Sequence, residues 1–268
     1  MTTFAPSGSA RIAYDDEGSG PPVIVLHAGV TDRRSWRAVV DALTPTHRVL
    51  AFDQRGFGET IYEPERQSGV DDALAVVDHA GIDGPVAVVG CSMGGRLGLD
   101  LTLAHPDRVS RLALIGSACR GAPGPVDWPD SYRELGLAID AAEEAGDLDE
   151  VNRLEAWLWL DGPSVPEGRV SGAARTLFLA MNARALASVD PGEEVERPSA
   201  WAALGSIAVP TLVLIGDLDL EDIRETSEGL ASRIPGATLE VLEGTAHVPQ
   251  LEGHPRFLQA LGEFLSAG

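Results

Sequence analysis

The chain has 268 residues, of which 44% are hydrophobic, and it carries a formal net charge of −21 at pH 7. This length suits one large hydrophobic core, or one core with an inserted subdomain, and the composition is typical of a globular protein rather than a disordered or fibrous one. The acidic balance excludes nucleic acid and anionic membranes as expected partners, because both are bound through clustered cations.

All 20 basic residues are arginines. The lack of lysine excludes Schiff-base chemistry, Ser-Lys dyads and the P-loop lysine. The two cysteines, Cys91 and Cys119, make no disulfide framework and have no partner at metal-ligand spacing, so we expect neither a metal nor a cofactor. Because no apolar run reaches 18 residues and the first ten residues do not resemble a secretion signal, we expect a cytoplasmic protein without a membrane partner.

Strand-like and helix-like segments alternate over the first 115 residues. The fully apolar run at residues 23–26 is typical of a strand that is buried on both faces. The alternation predicts a mostly parallel, doubly wound sheet with helices on both faces, an α/β fold. The predicted strands lie at residues 11–15, 23–26, 48–52, 85–90 and 111–115, the first of them at a sheet edge, and the helices at residues 35–43, 70–80 and 96–103.

This alternation stops at about residue 116 and resumes at residue 210. Between these points the pattern predicts only helices, separated by connectors rich in proline and glycine. We therefore predict a core formed by residues 1–117 and 207–268, with an inserted helical cap over residues 118–206. The predicted helices of the cap lie at residues 131–145, 148–160 and 171–187; the strands after it lie at residues 211–215 and 238–242, and the helices at residues 223–233 and 255–265.

Ser92 lies in a G-x-S-x-G sequence at residues 90–94, directly between a predicted buried strand and a predicted helix. This context is typical of a nucleophile elbow, in which glycines allow the sharp turn that exposes a serine hydroxyl. We predict that Ser92 is a nucleophile. The alternative is a structural turn that matches the pattern by chance.

A serine nucleophile needs a base, and the base needs an acid that orients it. His247 follows the last predicted strand and would reach the same sheet edge as Ser92, so we predict that it is the base. We expect His27 to brace the loop after residues 23–26 rather than to transfer a proton. Asp217 and Asp219 both follow the predicted strand at residues 211–215, and either is a candidate for the acid or a turn residue.

Acyl transfer also requires two N–H donors for the developing oxyanion. The elbow supplies the backbone N–H of Met93. We expect the second donor to be the N–H of Gly29, in the loop after residues 23–26, although a turn glycine is the alternative.

At these positions the chain resembles the α/β-hydrolase fold superfamily, and it looks like the small esterases and lactone hydrolases of that superfamily, including the 3-oxoadipate enol-lactone hydrolase type. The resemblance implies that Asp219, rather than Asp217, is the triad acid. Two departures from the family pattern are the pair His27-Ala28, in place of His-Gly, and the position of Pro255, one residue from its usual place. The matching segments are residues 26–29 with Trp36, 53–58, 90–95, 105–109, 216–219 and 246–247 with 251–252.

Serine at the elbow, rather than aspartate, disfavours the epoxide hydrolase and haloalkane dehalogenase branches of this superfamily. The expected activity is hydrolysis of a small-molecule carboxylic ester or lactone through an acyl-enzyme. Perhydrolase, carbon–carbon bond hydrolase and amidase or aminopeptidase reactions use the same triad and stay open. A ligand receptor on a hydrolase scaffold, with slow turnover, is an alternative of another class.

The predicted cap contains four of the five tryptophans. Trp157, Trp159, Phe178 and Met181 are the candidates for a hydrophobic substrate pocket. The alternative is that these side chains are plain core between the cap and the sheet. Trp128 and Trp201 are the other two tryptophans of the cap.

Overall fold

The computed structural model describes residues 2–124 and 130–267. Eight strands form one sheet in the order β1-β2-β4-β3-β5-β6-β7-β8, in which β1 and β2 run antiparallel to their neighbours and all other pairs are parallel. The strands are β1 (Thr3–Ser7), β2 (Ala10–Gly18), β3 (Pro22–Leu26), β4 (Arg48–Phe52), β5 (Val86–Cys91), β6 (Val109–Ile115), β7 (Thr211–Gly216) and β8 (Thr238–Leu242). This arrangement confirms the predicted α/β class with a mostly parallel sheet.

Helices cover both faces of the sheet. None in the described part of the chain has the length and apolar character needed to cross a membrane. The helices are α1 (Arg37–Leu43), α2 (Gly69–His79), α3 (Met93–Ala104), α4 (Asp130–Ala145), α5 (Leu148–Glu155), α6 (Gly172–Leu186), α7 (Ala200–Ala203), α8 (Glu221–Arg233), α9 (Pro249–Glu252) and α10 (Pro255–Ser266). Short 3₁₀ turns occur at Arg33–Trp36, Pro106–Arg108 and Leu204–Ser206, and a π-helical turn at Ala156–Asp161.

Two hydrophobic clusters sandwich the sheet. Strand β3 shows the division, because Ile24 and Leu26 point into the cluster with α2, α3 and α8, whereas Val23 and Val25 point into the cluster with α1 and α10. All four side chains are buried, as expected for a parallel strand that is covered on both faces. The apolar run that predicted this strand is therefore explained by its position.

The prediction for the first strand is wrong in one respect. Residues 11–15 lie within β2, which is paired on both sides, and the edge strand is β1, at Thr3–Ser7. Strand β1 has only five residues and contains Pro6, which is compatible with an edge because proline cannot donate to a second neighbour.

The chain between Ile115 and Thr211 holds α4 to α7 and, among its described residues, no strand. We call this stretch the cap segment. The predicted helix at residues 148–160 is α5 followed by the π-helical turn, and the short helix α7 was not predicted.

The loop that follows β4 is fixed by a buried arginine. Arg33 forms ion pairs with Asp15, Asp53 and Glu59, and its backbone N–H donates to Asp53 Oδ1 at 2.8 Å. The other Asp53 oxygen accepts the Glu59 N–H at 2.7 Å. Since Gln54 also bonds to the loop after β3, these contacts hold two neighbouring loops at the carboxyl edge of the sheet.

Candidate active site

Ser92 joins β5 to α3 in a strained backbone conformation. Its φ of +54° is the only positive φ of a non-glycine residue among the described residues. The turn is held by its backbone, because the Ser92 N–H donates to the Ile115 carbonyl at 2.9 Å and its own carbonyl accepts from the N–H groups of Arg96 and Ala118. Strain of this kind costs about 1–3 kcal/mol and is retained where the surrounding structure enforces it, often at functional sites.

The glycine after the serine is required by close packing. A Cβ on Gly94 would overlap the carbonyl oxygen of Leu26, at the end of β3. The elbow therefore fits against β3 only because position 94 has no side chain. This is the physical content of the G-x-S-x-G pattern in this chain.

His247 and Asp219 form a buried pair. The distance from His247 Nδ1 to Asp219 Oδ2 is 2.8 Å, and only 2% of His247 and 7% of Asp219 are exposed. The second oxygen of Asp219 accepts the Leu220 N–H at 2.8 Å. Because Nδ1 is engaged by the carboxylate, Nε2 is the nitrogen that remains for proton transfer.

Asp217 has a different environment. Its Oδ1 accepts the Gly244 N–H at 2.7 Å, and its own N–H donates to the Leu242 carbonyl at 3.1 Å. These bonds tie the loop after β7 to the loop after β8, which is the behaviour of a turn residue.

The elbow and the His247–Asp219 pair converge at the end of β6. Cys91, the residue before Ser92, donates its thiol S–H to the His247 carbonyl at 3.3 Å. Burial raises the pKa of this thiol to about 12, so the proton stays on sulfur. Ser92 bonds Ile115, and the next residue, Gly116, faces both partners of the pair.

No hydrogen bond joins the Ser92 hydroxyl to His247 within residues 2–124 and 130–267.

The backbone N–H groups of Gly29 and Met93 are the two predicted oxyanion donors. Neither the Gly29 N–H nor the Met93 N–H donates to another group among the residues that the structure describes. A Cβ on Gly29 would lie 3.8 Å from Met93 Sδ, which places the loop after β3 next to the first residue of α3. The assignment of these two N–H groups as oxyanion donors stays a prediction.

His27 braces the loop after β3, as predicted. Its Nδ1 donates to the Ala28 carbonyl at 2.8 Å, and its Nε2 accepts the Gln54 N–H at 3.0 Å. Burial lowers the pKa of the imidazole, which is consistent with a neutral ring that uses one nitrogen as donor and the other as acceptor. With both nitrogens occupied, His27 has no free one for proton transfer to a substrate.

The four predicted pocket residues of the cap lie in different places. The Trp159 ring packs on the His247 ring, with centroids 4.6 Å apart. Trp157 lies against the hydrophobic cluster of the cap segment and donates its indole N–H to the Val165 carbonyl at 2.8 Å. Phe178 and Met181 are buried, and Phe178 belongs to the sheet cluster that includes α1 and α10. Trp128 lies outside the described residues.

A cavity of about 360 Å³ begins at Met93 and extends under the last part of the cap segment. Two arginines reach it, and both are ion-paired: Arg96 with Glu194 at 2.9 Å and Arg55 with Asp72 at 2.8 Å. The arginines that line the cavity are therefore balanced by neighbouring carboxylates. No group of His, Cys, Asp and Glu side chains that could hold a metal ion occurs among the described residues.

Sequence reasoning missed several residues around the pair. Gly116 directly follows the apolar run of β6, a position from which its proximity to Ser92 could have been inferred. Arg169, which bonds the loop before His247, carries no recognisable signal, because it belongs to the cap segment and its contact depends on how that segment packs.

Comparisons with known proteins agree on a hydrolase of the alpha/beta hydrolase fold. A family model of the alpha/beta hydrolase fold matches residues 21–254. Over 269 residues, the chain is 32% identical to the 2-hydroxymuconate semialdehyde hydrolase of Pseudomonas sp. (strain CF600), with 96% of this chain and 90% of that protein covered.

Solved structures give the same picture. A thermophilic esterase from Thermogutta terrifontis, with malate bound, has a TM-score of 0.75 at 26% identity and covers 99% of this chain and 97% of its own. The enol-lactonase of Burkholderia xenovorans LB400 has a TM-score of 0.74 at 23% identity, over 98% of this chain and 100% of its own, and so shares the fold.

Proposed function

The chain belongs to the α/β-hydrolase family and is an α/β-fold hydrolase, and on that premise we propose that it cleaves small carboxylic esters or lactones through an acyl-enzyme on Ser92. The observation that carries the proposal is the buried His247–Asp219 contact of 2.8 Å beside a serine with a strained backbone. A histidine held in one tautomer by a carboxylate is the base that a serine nucleophile needs.

In the proposed reaction, His247 Nε2 takes the hydroxyl proton of Ser92 while the serine oxygen attacks the substrate carbonyl carbon. The carbonyl oxygen becomes an oxyanion that accepts hydrogen bonds from the N–H groups of Gly29 and Met93. When the tetrahedral intermediate collapses, the carbon–oxygen bond to the alcohol breaks, and His247 returns its proton to that leaving oxygen. His247 then deprotonates a water molecule that attacks the acyl carbon; the bond between this carbon and the Ser92 oxygen breaks, His247 returns the proton to Ser92, and the carboxylic acid is released.

We further propose that residues 118–206 act as a cap that selects the substrate. Trp159 supports this assignment, because its ring reaches the His247 ring from the cap segment. The cavity of about 360 Å³ that reaches Met93 supports substrates with a short group on that side, rather than a long alkyl chain.

The direct test is covalent labelling of the serine. A fluorophosphonate probe should label the wild-type protein on the tryptic peptide that contains Ser92, and Ser92→Ala should abolish both labelling and turnover of p-nitrophenyl acetate. Ser117→Ala is a matched control, because Ser117 is a buried serine near the elbow that has no proposed catalytic role. Labelling of another residue in active protein contradicts the proposal, and one slow burst without steady turnover would favour a receptor.

Hydrolysis of a carbon–carbon bond is the second candidate. It is favoured by the relative at 32% identity, which is a 2-hydroxymuconate semialdehyde hydrolase and matches 96% of this chain. The two candidates share Ser92, His247 and Asp219 and differ in the bond that is cleaved. We expect kcat/KM for p-nitrophenyl acetate or a simple lactone to exceed that for 2-hydroxymuconate semialdehyde by at least about 10-fold, and the opposite order favours the second candidate.

A further inference from the structure

We propose that Arg169 is a positioning residue. It links the loop before His247 to the cap segment, so that the imidazole is aligned only when the cap segment packs on the core. This inference rests on the proposed function, since it treats His247 as the base. It concerns a residue that makes no contact with Ser92 or with the proposed oxyanion donors.

The guanidinium of Arg169 bonds two separate parts of the molecule. Toward the cap segment, Nε donates to the Asp161 carbonyl at 2.7 Å and Nη2 donates to the Leu160 carbonyl at 2.6 Å. Toward the histidine loop, Nη1 donates to the Gly244 carbonyl at 2.8 Å and to Glu252 Oε2 at 2.7 Å. One planar group therefore connects the π-helical turn to residues on both sides of His247.

Glu252 carries the connection into the loop itself. Its Oε1 accepts the Ala246 N–H at 3.2 Å and the hydroxyl of Thr245. Thr245 and Ala246 are buried and directly precede His247. The ion pair with Arg169 thus holds the Glu252 carboxylate in place. That carboxylate in turn holds the backbone that leads to His247.

The π-helical turn also contacts His247 directly. The His247 N–H donates to the Trp159 carbonyl at 3.2 Å, and the two rings pack with centroids 4.6 Å apart. A wider turn of this type places successive carbonyls differently from an α-helix, and such turns are frequent at functional sites. Here the carbonyls of residues 159, 160 and 161 all accept hydrogen bonds, the first from the His247 N–H and the other two from the Arg169 guanidinium.

Buried Asp161 brings Arg169 to this position. Its carboxylate accepts the N–H of Gly168 and the N–H of Val170, each at 2.8 Å, which folds the following loop back over the π-helical turn. Arg175 completes the charge balance by donating to Asp161 Oδ2 at 2.6 Å. Arg175 contacts the cap side of this network, and no bond joins it to residues 244–252 in the described part of the chain.

The geometry requires arginine. Its fork presents several donors in fixed directions, whereas a lysine ammonium offers a compact charge that cannot reach four acceptors in this arrangement. Misplacement of a catalytic group by about 1 Å can cost about 10²-fold in rate. Loss of Arg169 should therefore lower kcat, while KM, which depends on contacts with bound substrate, should change little.

The experiment compares Arg169→Met with Arg175→Met as a matched control. The two arginines are similarly buried, with 20% and 17% of their side chains exposed, and both bond the region of Asp161. We expect Arg169→Met to lower kcat about 30-fold with KM within about 3-fold of wild type, and Arg175→Met to lower the melting temperature with kcat within about 3-fold. Equal kcat losses in the two variants, or an unchanged kcat in Arg169→Met, overturn the proposal.

Two further variants cover the case in which Arg169→Met does not fold. Arg169→Lys keeps the charge and should retain only part of the wild-type kcat. Glu252→Gln removes the acidic partner and should also lower kcat. Wild-type values in both variants count against the positioning role.

A spectroscopic readout separates this inference from the proposed function. The downfield proton resonance of the His247–Asp219 hydrogen bond, identified by its loss in Asp219→Asn, should shift or broaden in Arg169→Met and stay in place in Arg175→Met. If wild-type protein is not labelled by the fluorophosphonate, the proposed function fails, yet this resonance still tests whether Arg169 positions His247. An unmoved resonance in folded Arg169→Met overturns the inference alone.

Discussion

Gly116 faces Asp219 so closely that a Cβ at position 116 would lie 3.0 Å from Asp219 Oδ2, and the same atom would lie 3.0 Å from His247 Nδ1. The backbone of Gly116 is also left-handed, with φ of +47°. The end of β6 therefore forms one wall of the His247–Asp219 pair. Only glycine satisfies both the backbone conformation and the space.

Gly116→Ala should lower kcat by at least about 10-fold, because the added methyl group pushes the carboxylate and the imidazole apart. Gly81→Ala is the control, since Gly81 has a similar φ of +71° with nothing within 4 Å of the added carbon. Both variants should lose about 1–2 kcal/mol of stability from backbone strain. Activity assays with urea unfolding separate the two effects, and an equal kcat in both variants would contradict the expected crowding.

Asp219→Asn should lower kcat by at least about 10²-fold with little change in melting temperature. The amide keeps the shape of the carboxylate but favours the wrong imidazole tautomer, an effect that in serine proteases reaches about 10⁴-fold. Asp217→Asn should instead cost roughly 1 kcal/mol of stability, because Asp217 accepts the Gly244 N–H in a turn. Steady-state kinetics and thermal unfolding of both variants test this, and a reversed pattern would exchange the two roles.

The buried imidazole of His27 should make the protein less stable in mild acid. Burial lowers the pKa of His27 in the folded state, so below about pH 6.5 the unfolded chain binds a proton that the folded chain does not. As the pH falls below about 6.5, the free energy of unfolding therefore decreases, by at most about 1.4 kcal/mol per pH unit from this group. Urea unfolding at about pH 7.5 and 5.5 should show a smaller fall in His27→Gln than in wild type; equal falls would remove His27 as a cause.

Trp159→Ala should change the ranking of ester substrates, since its ring packs on His247 at the site. Trp157→Ala should keep the ranking and cost about 2 to 4 kcal/mol of stability, because Trp157 packs within the cap segment and bonds the Val165 carbonyl. The measurement is kcat/KM over a panel of acyl chain lengths, with unfolding free energies for both variants. If Trp159→Ala slows all esters equally, the ring orients His247 without lining the pocket.

Much of the fold is encoded locally. The apolar runs that form β3 and β5 are covered on both faces, so their composition alone predicts buried strands. Strand β1 is different, because Thr3–Ser7 contains a proline and mixed polar residues and becomes a strand only by pairing with β2. Pairing across a hairpin of this kind leaves little trace in the sequence of one partner.

The candidate site divides in the same way. The strained turn at Ser92 needs glycines beside it, and so a short motif of adjacent residues predicts it. The choice between Asp217 and Asp219 is not, since it depends on which side chain the loop after β7 turns toward His247. The contacts of Trp159 and Arg169 with the histidine loop depend on how the cap packs on the core, which no local pattern specifies.

The placement of the arginines has a consequence for encounters with ligands. Arg33 and Arg55 are buried and paired with carboxylates, so they offer no free cation at the surface, and the whole chain has only 20 arginines against 41 acidic residues. A dissolved anion approaching the cavity beside Met93 therefore meets a repulsive potential, whereas a neutral ester does not. Because the Debye length shortens from about 30 Å at 0.01 M salt to about 10 Å at 0.1 M, added salt accelerates the encounter with negatively charged substrates and leaves neutral ones unaffected.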